Sequence, residues 1–174
     1  MQTITEMLGT YAAYHRDSRN RLTHYFGIPL ITMSILILLS LLRIPLGTIT
    51  VTGAEILVVV IMIWYLRLDL TLELITLAFI LPMLLVADNL AATQPITYVM
   101  WWFWSLFVTG WVLQFLGHVF EGRKPALVDN FLQIFSGPLF VVCELMFAFG
   151  LFSNLQSGIQ QVSDRVDSEI KQAS

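Results

Sequence analysis

Cysteine is almost absent: Cys143 is the only one among 174 residues. A lone cysteine excludes an intrachain disulfide and any cysteine-based metal cluster, so the chain is no disulfide-stapled secreted domain. Charge is scarce as well. Asp, Glu, Lys and Arg make up 12 % of the residues, against roughly 25 % in soluble domains. Nine basic and twelve acidic side chains leave a net charge of −3, so no basic excess suggests nucleic-acid binding. There is no Gly-rich phosphate loop, no Gly-x-Ser-x-Gly elbow and no Rossmann fingerprint. Internal repeats and low-complexity stretches are also missing.

What is abundant is apolar surface. Hydrophobic residues reach 57 %, and a soluble domain of this length cannot hide so many, because most of its residues touch water. The expected class is therefore an all-α, polytopic membrane bundle in a single integral domain. Residues 1–27 read as polar and aromatic interfacial helices. Four spans are expected over 28–116: Ile28–Leu42, with its helix starting earlier and carrying His24, then Ala54–Leu66, Leu70–Ala87 and Ile96–Leu116. A span needs ~20 residues to cross ~30 Å of hydrocarbon, so the shorter runs require tilt or thinning. Each must be helical, since a lipid-exposed backbone has no water to bond. No small-residue cleavage site follows the first run, which reads as an uncleaved span rather than a signal peptide.

Residues 117–152 carry a His/Glu motif and then an apolar stretch, Ala126–Phe152, interrupted by Ser136-Gly137-Pro138. A proline there predicts a bend or break, and both a kinked span and a re-entrant segment remain open. Residues 153–174 read as a polar tail, either a short surface helix or frayed. Arg16, Arg19 and Arg21 precede the first span, Arg67 follows the second, and Arg123 and Lys124 follow the fourth. Four spans put these six on one face and Arg43 on the other, which makes the six cytoplasmic.

By the same parity all three histidines, His15, His24 and His118, share that face. Nine residues at about 100° each put His15 and His24 on opposite sides of a straight helix. They can meet only if the chain bends, and Asp17 or Ser18 offers an N-cap for a second helix. Asn20 then lies one turn before His24, as Gln114 lies one turn before His118, with Glu121 one turn after it. Three neutral imidazoles suit a first-row metal with positions left for water, oxygen or substrate. Glu121 and Glu144 offer either acceptors for the second imidazole N–H or a carboxylate ligand. The plainer alternative is a set of interfacial histidines with no metal. Glu144 sits in the apolar run Val141–Phe149, where an ionisable group is costly; an Arg partner or an interfacial position would explain it. Asp69 and Glu73 read as a solvated loop with some helix-end pairing, and Glu55 and Asp88 as boundary residues on the far face.

Two stretches carry a resemblance. His15-x4-Asn20-x3-His24-x2-Gly27-x-Pro29 is one. Gln114-Phe-Leu-Gly117-His118-Val-Phe120-Glu121-Gly-Arg-Lys-Pro125-Ala126-Leu127, continued by Asp129-Asn130, Gly137-Pro138 and Glu144, is the other. Over about residues 8–152 the chain resembles a small membrane family of iron(II)-dependent 2-hydroxy fatty acid dioxygenases, associated with fatty acid α-oxidation and phytosphingosine breakdown. The resemblance implies that His15, His24 and His118 hold Fe(II). Around them, Asn20, Gln114, Glu121, Asp129, Asn130 and Glu144 are the candidates for supporting or catalytic roles, and Arg123 and Lys124 for contact with a substrate carboxylate. The implied reactants are a 2-hydroxy fatty acid and oxygen, without 2-oxoglutarate or nicotinamide, giving the acid one carbon shorter. The implied membrane is a bacterial inner membrane or the endoplasmic reticulum, and a homo-oligomer is left open. Two other functions fit the same residues: a zinc-dependent lipid hydrolase, and a helical carrier or scaffold in which the histidines are structural.

Overall fold

The computed structural model describes residues 3–122 and 133–173. Among them are seven helices: α1 Ile4–Ala13, α2 Ser18–Ser40, α3 Gly53–Leu66, α4 Leu70–Thr93, α5 Ile96–Glu121, α6 Gln133–Ala148 and α7 Ser153–Ala173. Two compact units arise. One joins Met1–Tyr25 to Leu113–Ser174, and the other is Phe26–Val112.

In the second unit the structure departs from an all-α reading. Strands β1 Arg43–Leu46 and β2 Ile49–Thr52 form an antiparallel hairpin in which Leu46 pairs with Ile49. The two-residue turn puts Gly47 at φ +66°, a backbone setting for which glycine carries no Cβ penalty. Apolar-run counting overlooks such a turn because four-residue strands leave only a short pattern. Thr52 ends the hairpin and starts α3. Its hydroxyl accepts from Glu55 N at 3.2 Å, while Glu55 accepts from Thr52 N at 2.7 Å. This capping box satisfies orphan N–H groups at the helix start. The same hydroxyl donates to Asp88 at 2.9 Å. Glu55 thus completes the cap that Thr52 provides for α3, and Asp69 caps α4, accepting from Leu72 N at 2.9 Å. Glu73, expected in a solvated loop, lies buried in the first turn of α4.

Three helices, α2, α4 and α5, are long and apolar enough to cross a membrane. The expected second span is shorter. At ~1.5 Å per residue, the 14 residues of α3 reach only about 21 Å, so four spans are not established by length. The helix expected to form the first span does begin early, at Ser18.

The first unit contains α1, the start of α2, the end of α5, and α6 and α7. Thr3 caps α1 in a second capping box with Glu6. Helix α6 continues through Pro138 without interruption, where a bend or break is expected. Proline in a helix interior costs about 3 kcal/mol. Leu139 and Phe140 are each 1 % exposed, and burying two such side chains is worth roughly 1.5–3 kcal/mol apiece, enough to offset it. Residues 126–132 of that stretch lie outside the described residues. Of the two forms expected for the C-terminal tail, the helix is present, and it is long: α7 has 21 residues. It buries Ile159, Ser163 and Asp167, spaced four apart as one helix face requires. It packs along α1, with Val162 set against Gly9 where a Cβ would not fit.

Candidate metal centre

All the residues of the candidate site belong to the first unit. The chain bends between His15 and His24 as the nine-residue spacing demands. Helix α1 ends at Ala13, and His15 N donates to Ala12 O at 3.0 Å to close its last turn. Asp17 then stands before α2. Its carboxylate accepts from Arg19 N at 2.8 Å and from the Arg19 side chain at 2.8 and 3.1 Å. Those bonds hold the Asp17 carboxyl down at about 2, so Asp17 is a charged cap at every physiological pH.

With the bend in place, the rings of His15 and His24 lie 4.4 Å apart between centroids. His118, near the end of α5, brings its ring to 5.1 Å from His15 and 5.0 Å from His24. All three are buried, at 3 %, 1 % and 7 % exposure. Each offers one nitrogen, and the three nitrogens lie within 4.8 Å of one another.

The tautomers follow from the backbone. His15 Nδ1 lies 2.7 Å from Tyr11 O, and His24 Nδ1 lies 2.9 Å from Asn20 O. A carbonyl only accepts, so in each neutral ring the proton sits on Nδ1 and the lone pair on Nε2. Those two Nε2 atoms face each other at 3.1 Å. Two lone pairs at that distance repel unless a cation stands between them. Burial first, then the neighbouring His24 and His118, hold His15 well below its usual 6.5 despite its bond to Tyr11, so a proton is a poor candidate. His118 Nδ1 is also buried and has no hydrogen-bond partner among the described residues. With metal–nitrogen bonds of about 2.0–2.1 Å, neighbouring ligand nitrogens stand about 3.3 Å apart at a tetrahedral angle, so three nitrogens now within 4.8 Å of one another fit around one first-row divalent ion once the widest pair draws in by about 1 Å. Three imidazoles leave coordination positions open for small ligands.

The carboxylates do other work than the sequence offers for them. The second N–H of His15 and of His24 goes to a main-chain carbonyl, in both cases four residues back, and not to Glu121 or Glu144. Glu121 instead accepts from Arg16 N at 3.0 Å, Asp17 N at 2.8 Å and Asn20 Nδ2 at 3.0 Å. A carboxylate at the end of α5 thereby clamps the turn joining α1 to α2, and with it the backbone on both sides of the two histidines. Glu144, on α6, accepts from the Tyr25 hydroxyl at 2.9 Å and lies 3.6 Å from the Arg21 guanidinium. It braces the first turns of α2, and the Arg partner accounts for a carboxylate in an apolar run. Asn20 is buried and also reaches Tyr14 O at 3.4 Å. Gln114 is buried one turn before His118. Arg123, Lys124, Asp129 and Asn130 lie outside the described residues.

Several residues that shape the site escape a reading by residue type. Tyr11 supplies both the carbonyl for His15 and a ring stacked on it, 4.2 Å away and 7° from parallel. Its position four before His15, matching Asn20 before His24, is the signal that could have found it. Phe140 lies against Tyr11 at 4.7 Å. Gly117 has no side chain where one would strike Thr23, Asn20 and His24. From α7, Asp164 and Asp167 lie 2.8 and 3.7 Å from the guanidinium of Arg16, the neighbour of His15. No motif marks that pairing, because its partners are far apart in sequence.

A family model described as "2-hydroxy-palmitic acid dioxygenase Mpo1-like" matches residues 1–149. The chain is also similar to the Saccharomyces cerevisiae protein described as 2-hydroxy-palmitic acid dioxygenase MPO1. The two are 33 % identical over 171 residues, which is 97 % of this chain and 91 % of the yeast protein. No solved structure matches.

Proposed function

The chain belongs to the Mpo1-like family of 2-hydroxy-palmitic acid dioxygenases, and from that premise we propose that it is a membrane-embedded dioxygenase acting on 2-hydroxy fatty acids. The product is the fatty acid one carbon shorter, and the cofactor is Fe(II) held by His15, His24 and His118. The observation that carries this reading is the facing pair of Nε2 lone pairs beside an unpartnered imidazole nitrogen, all buried. Iron would supply the redox step between substrate and oxygen, which zinc lacks.

The reaction balances without a co-reductant. One 2-hydroxy acid and one O₂ give the shortened acid, CO₂ and water. The bond between C1 and C2 breaks, the substrate loses four electrons, and oxygen accepts them. The protein's part is to orient and to exclude water. Tyr11 O and Asn20 O fix the rings of His15 and His24, Glu121 holds the turn between them, and Tyr11 and Phe140 close the apolar side. A 2-hydroxy acid offers two adjacent oxygen groups where a plain acid offers only its carboxylate, so the hydroxylated substrate would be held at two points and its C1–C2 bond oriented. A long acyl chain is best delivered from the bilayer, and the basic residues before α2 and after α5 favour a cytoplasmic site.

Anaerobic purification in detergent, metal analysis and oxygen uptake test the reading. Iron-loaded protein should consume oxygen with 2-hydroxypalmitate and not with palmitate, while zinc-loaded protein should be stable and inert. Turnover by the zinc form, or equal reaction of the plain acid, would refute it. Lack of stoichiometric metal would favour a structural role for the histidines.

A further inference from the structure

Among the described residues a few buried side-chain atoms have no hydrogen-bond partner, and three of these belong to His118 or to a residue one helical turn before a histidine of the candidate centre: His118 Nδ1, Asn20 Oδ1 and Gln114 Nε2. Two have an evident use. Asn20 Oδ1 points at the bare Gly117, 2.4 Å from where a Cβ would stand, and it gains a weak Cα–H···O contact there. His118 Nδ1 is a lone pair in the candidate metal centre or a donor beside it. Gln114 Nε2 remains, a buried donor with no acceptor among the described residues. Such a group is costly to leave unpaired. It lies one helical turn before His118, on the same face of α5, and Gln114 is only 7 % exposed.

We propose that the Gln114 amide donates to the substrate carboxylate. The inference rests on the dioxygenase reading and deepens it. A 2-hydroxy acid that chelates through its hydroxyl and one carboxylate oxygen leaves the second carboxylate oxygen unbound. In a buried site that oxygen needs a donor, because a carboxylate carries its charge on both oxygens. A neutral amide meets the need without adding a cation that would compete electrostatically with the metal. It also selects for the head group: an alcohol or ester of the same chain gains less from it than an acid.

The test is binding to the zinc-loaded full chain in detergent, where no turnover intervenes. The ligands are 2-hydroxypalmitate and hexadecane-1,2-diol, which keeps both vicinal oxygens and lacks the carboxylate. Gln114→Leu should retain zinc and bind the acid roughly 10–100-fold more weakly, as expected for loss of a hydrogen bond to a charged acceptor. Its affinity for the diol should be unchanged. Gln114→Glu sets a like charge against the carboxylate and should lose the acid more completely than the diol, which keeps the proposal testable if the leucine variant fails to fold. Equal affinity of wild type and Gln114→Leu for the acid would overturn the proposal. So would loss of zinc in a stably folded Gln114→Leu, since Gln114 would then serve His118. If the wild-type protein binds zinc but no 2-hydroxy acid, the dioxygenase reading itself falls, an outcome distinct from both.

Discussion

Gly117→Ala is a small change that should damage the candidate metal centre without removing a polar atom. A Cβ at position 117 would lie 2.3 Å from Thr23 Oγ1, 2.4 Å from Asn20 Oδ1 and 3.1 Å from His24 Nδ1. Ordinary carbon–oxygen contact begins near 3.3 Å, so α2 and α5 must part here by about 1 Å or the side chains must turn. Thr23 can rotate only by giving up its 2.8 Å bond to Asn20 O. Asn20 has less room still. It is buried completely, its amide donates to Glu121 at 3.0 Å, and its carbonyl receives His24 Nδ1–H. Overpacking of this kind costs roughly 1–3 kcal/mol. Alanine returns up to about 1 kcal/mol through its better helix propensity, so the net loss of stability is about 0–3 kcal/mol. The effect on the site should be larger than the effect on the fold, because the displaced atoms orient His24. Disturbing such supports typically weakens metal binding ~10–100-fold. Metal titration and thermal unfolding of the same detergent-purified variant separate the two. Wild-type metal affinity in Gly117→Ala would refute the argument that α2 and α5 must touch backbone to side chain for the centre to form.

Glu121→Ala should leave three donors without their carboxylate and lower stability by roughly 2–3 kcal/mol, with weaker metal binding; Glu121→Gln should recover part of both, and normal metal affinity in the alanine variant would show that the clamp does not position the histidines. The metal-free protein should lose stability in mild acid. Folding holds His15 neutral below its usual 6.5, so below that pH the unfolded chain takes up more protons, and the loss deepens by at most ~1.4 kcal/mol per pH unit for this group. Thermal unfolding between about pH 8 and 5 checks it, and a flat or rising profile would contradict the burial argument. Single cysteines at positions 18 and 122, placed in a Cys143→Ser background, should label from one side of the membrane, the cytoplasmic one. Labelling from opposite sides would sink both the shared face and the three-histidine site.

Local and periodic signals make much of this protein legible from its residues alone. Apolar content marks out helices of membrane-spanning character, and the long runs locate α2, α4 and α5. A cap residue at Asp17, with nine residues between two histidines, implies the bend that lets their rings meet. What depends on distant partners stays hidden. The hairpin over Arg43–Thr52 is too short to show a period. Residues Ser153–Ala173 are polar enough to pass for a tail until α1 supplies the surface that Ile159, Ser163 and Asp167 cover. Glu121 has the type and the spacing of a metal ligand or an imidazole acceptor, yet its oxygens are taken by a turn 104 and 105 residues earlier in the chain. Gly117 reads as an unremarkable helix residue until α2 is packed against it. A sequence records which groups are available and where the backbone will coil. Which lone pair meets which proton is settled only when helices far apart in the chain are brought within 3 Å, and that is a property of the packing.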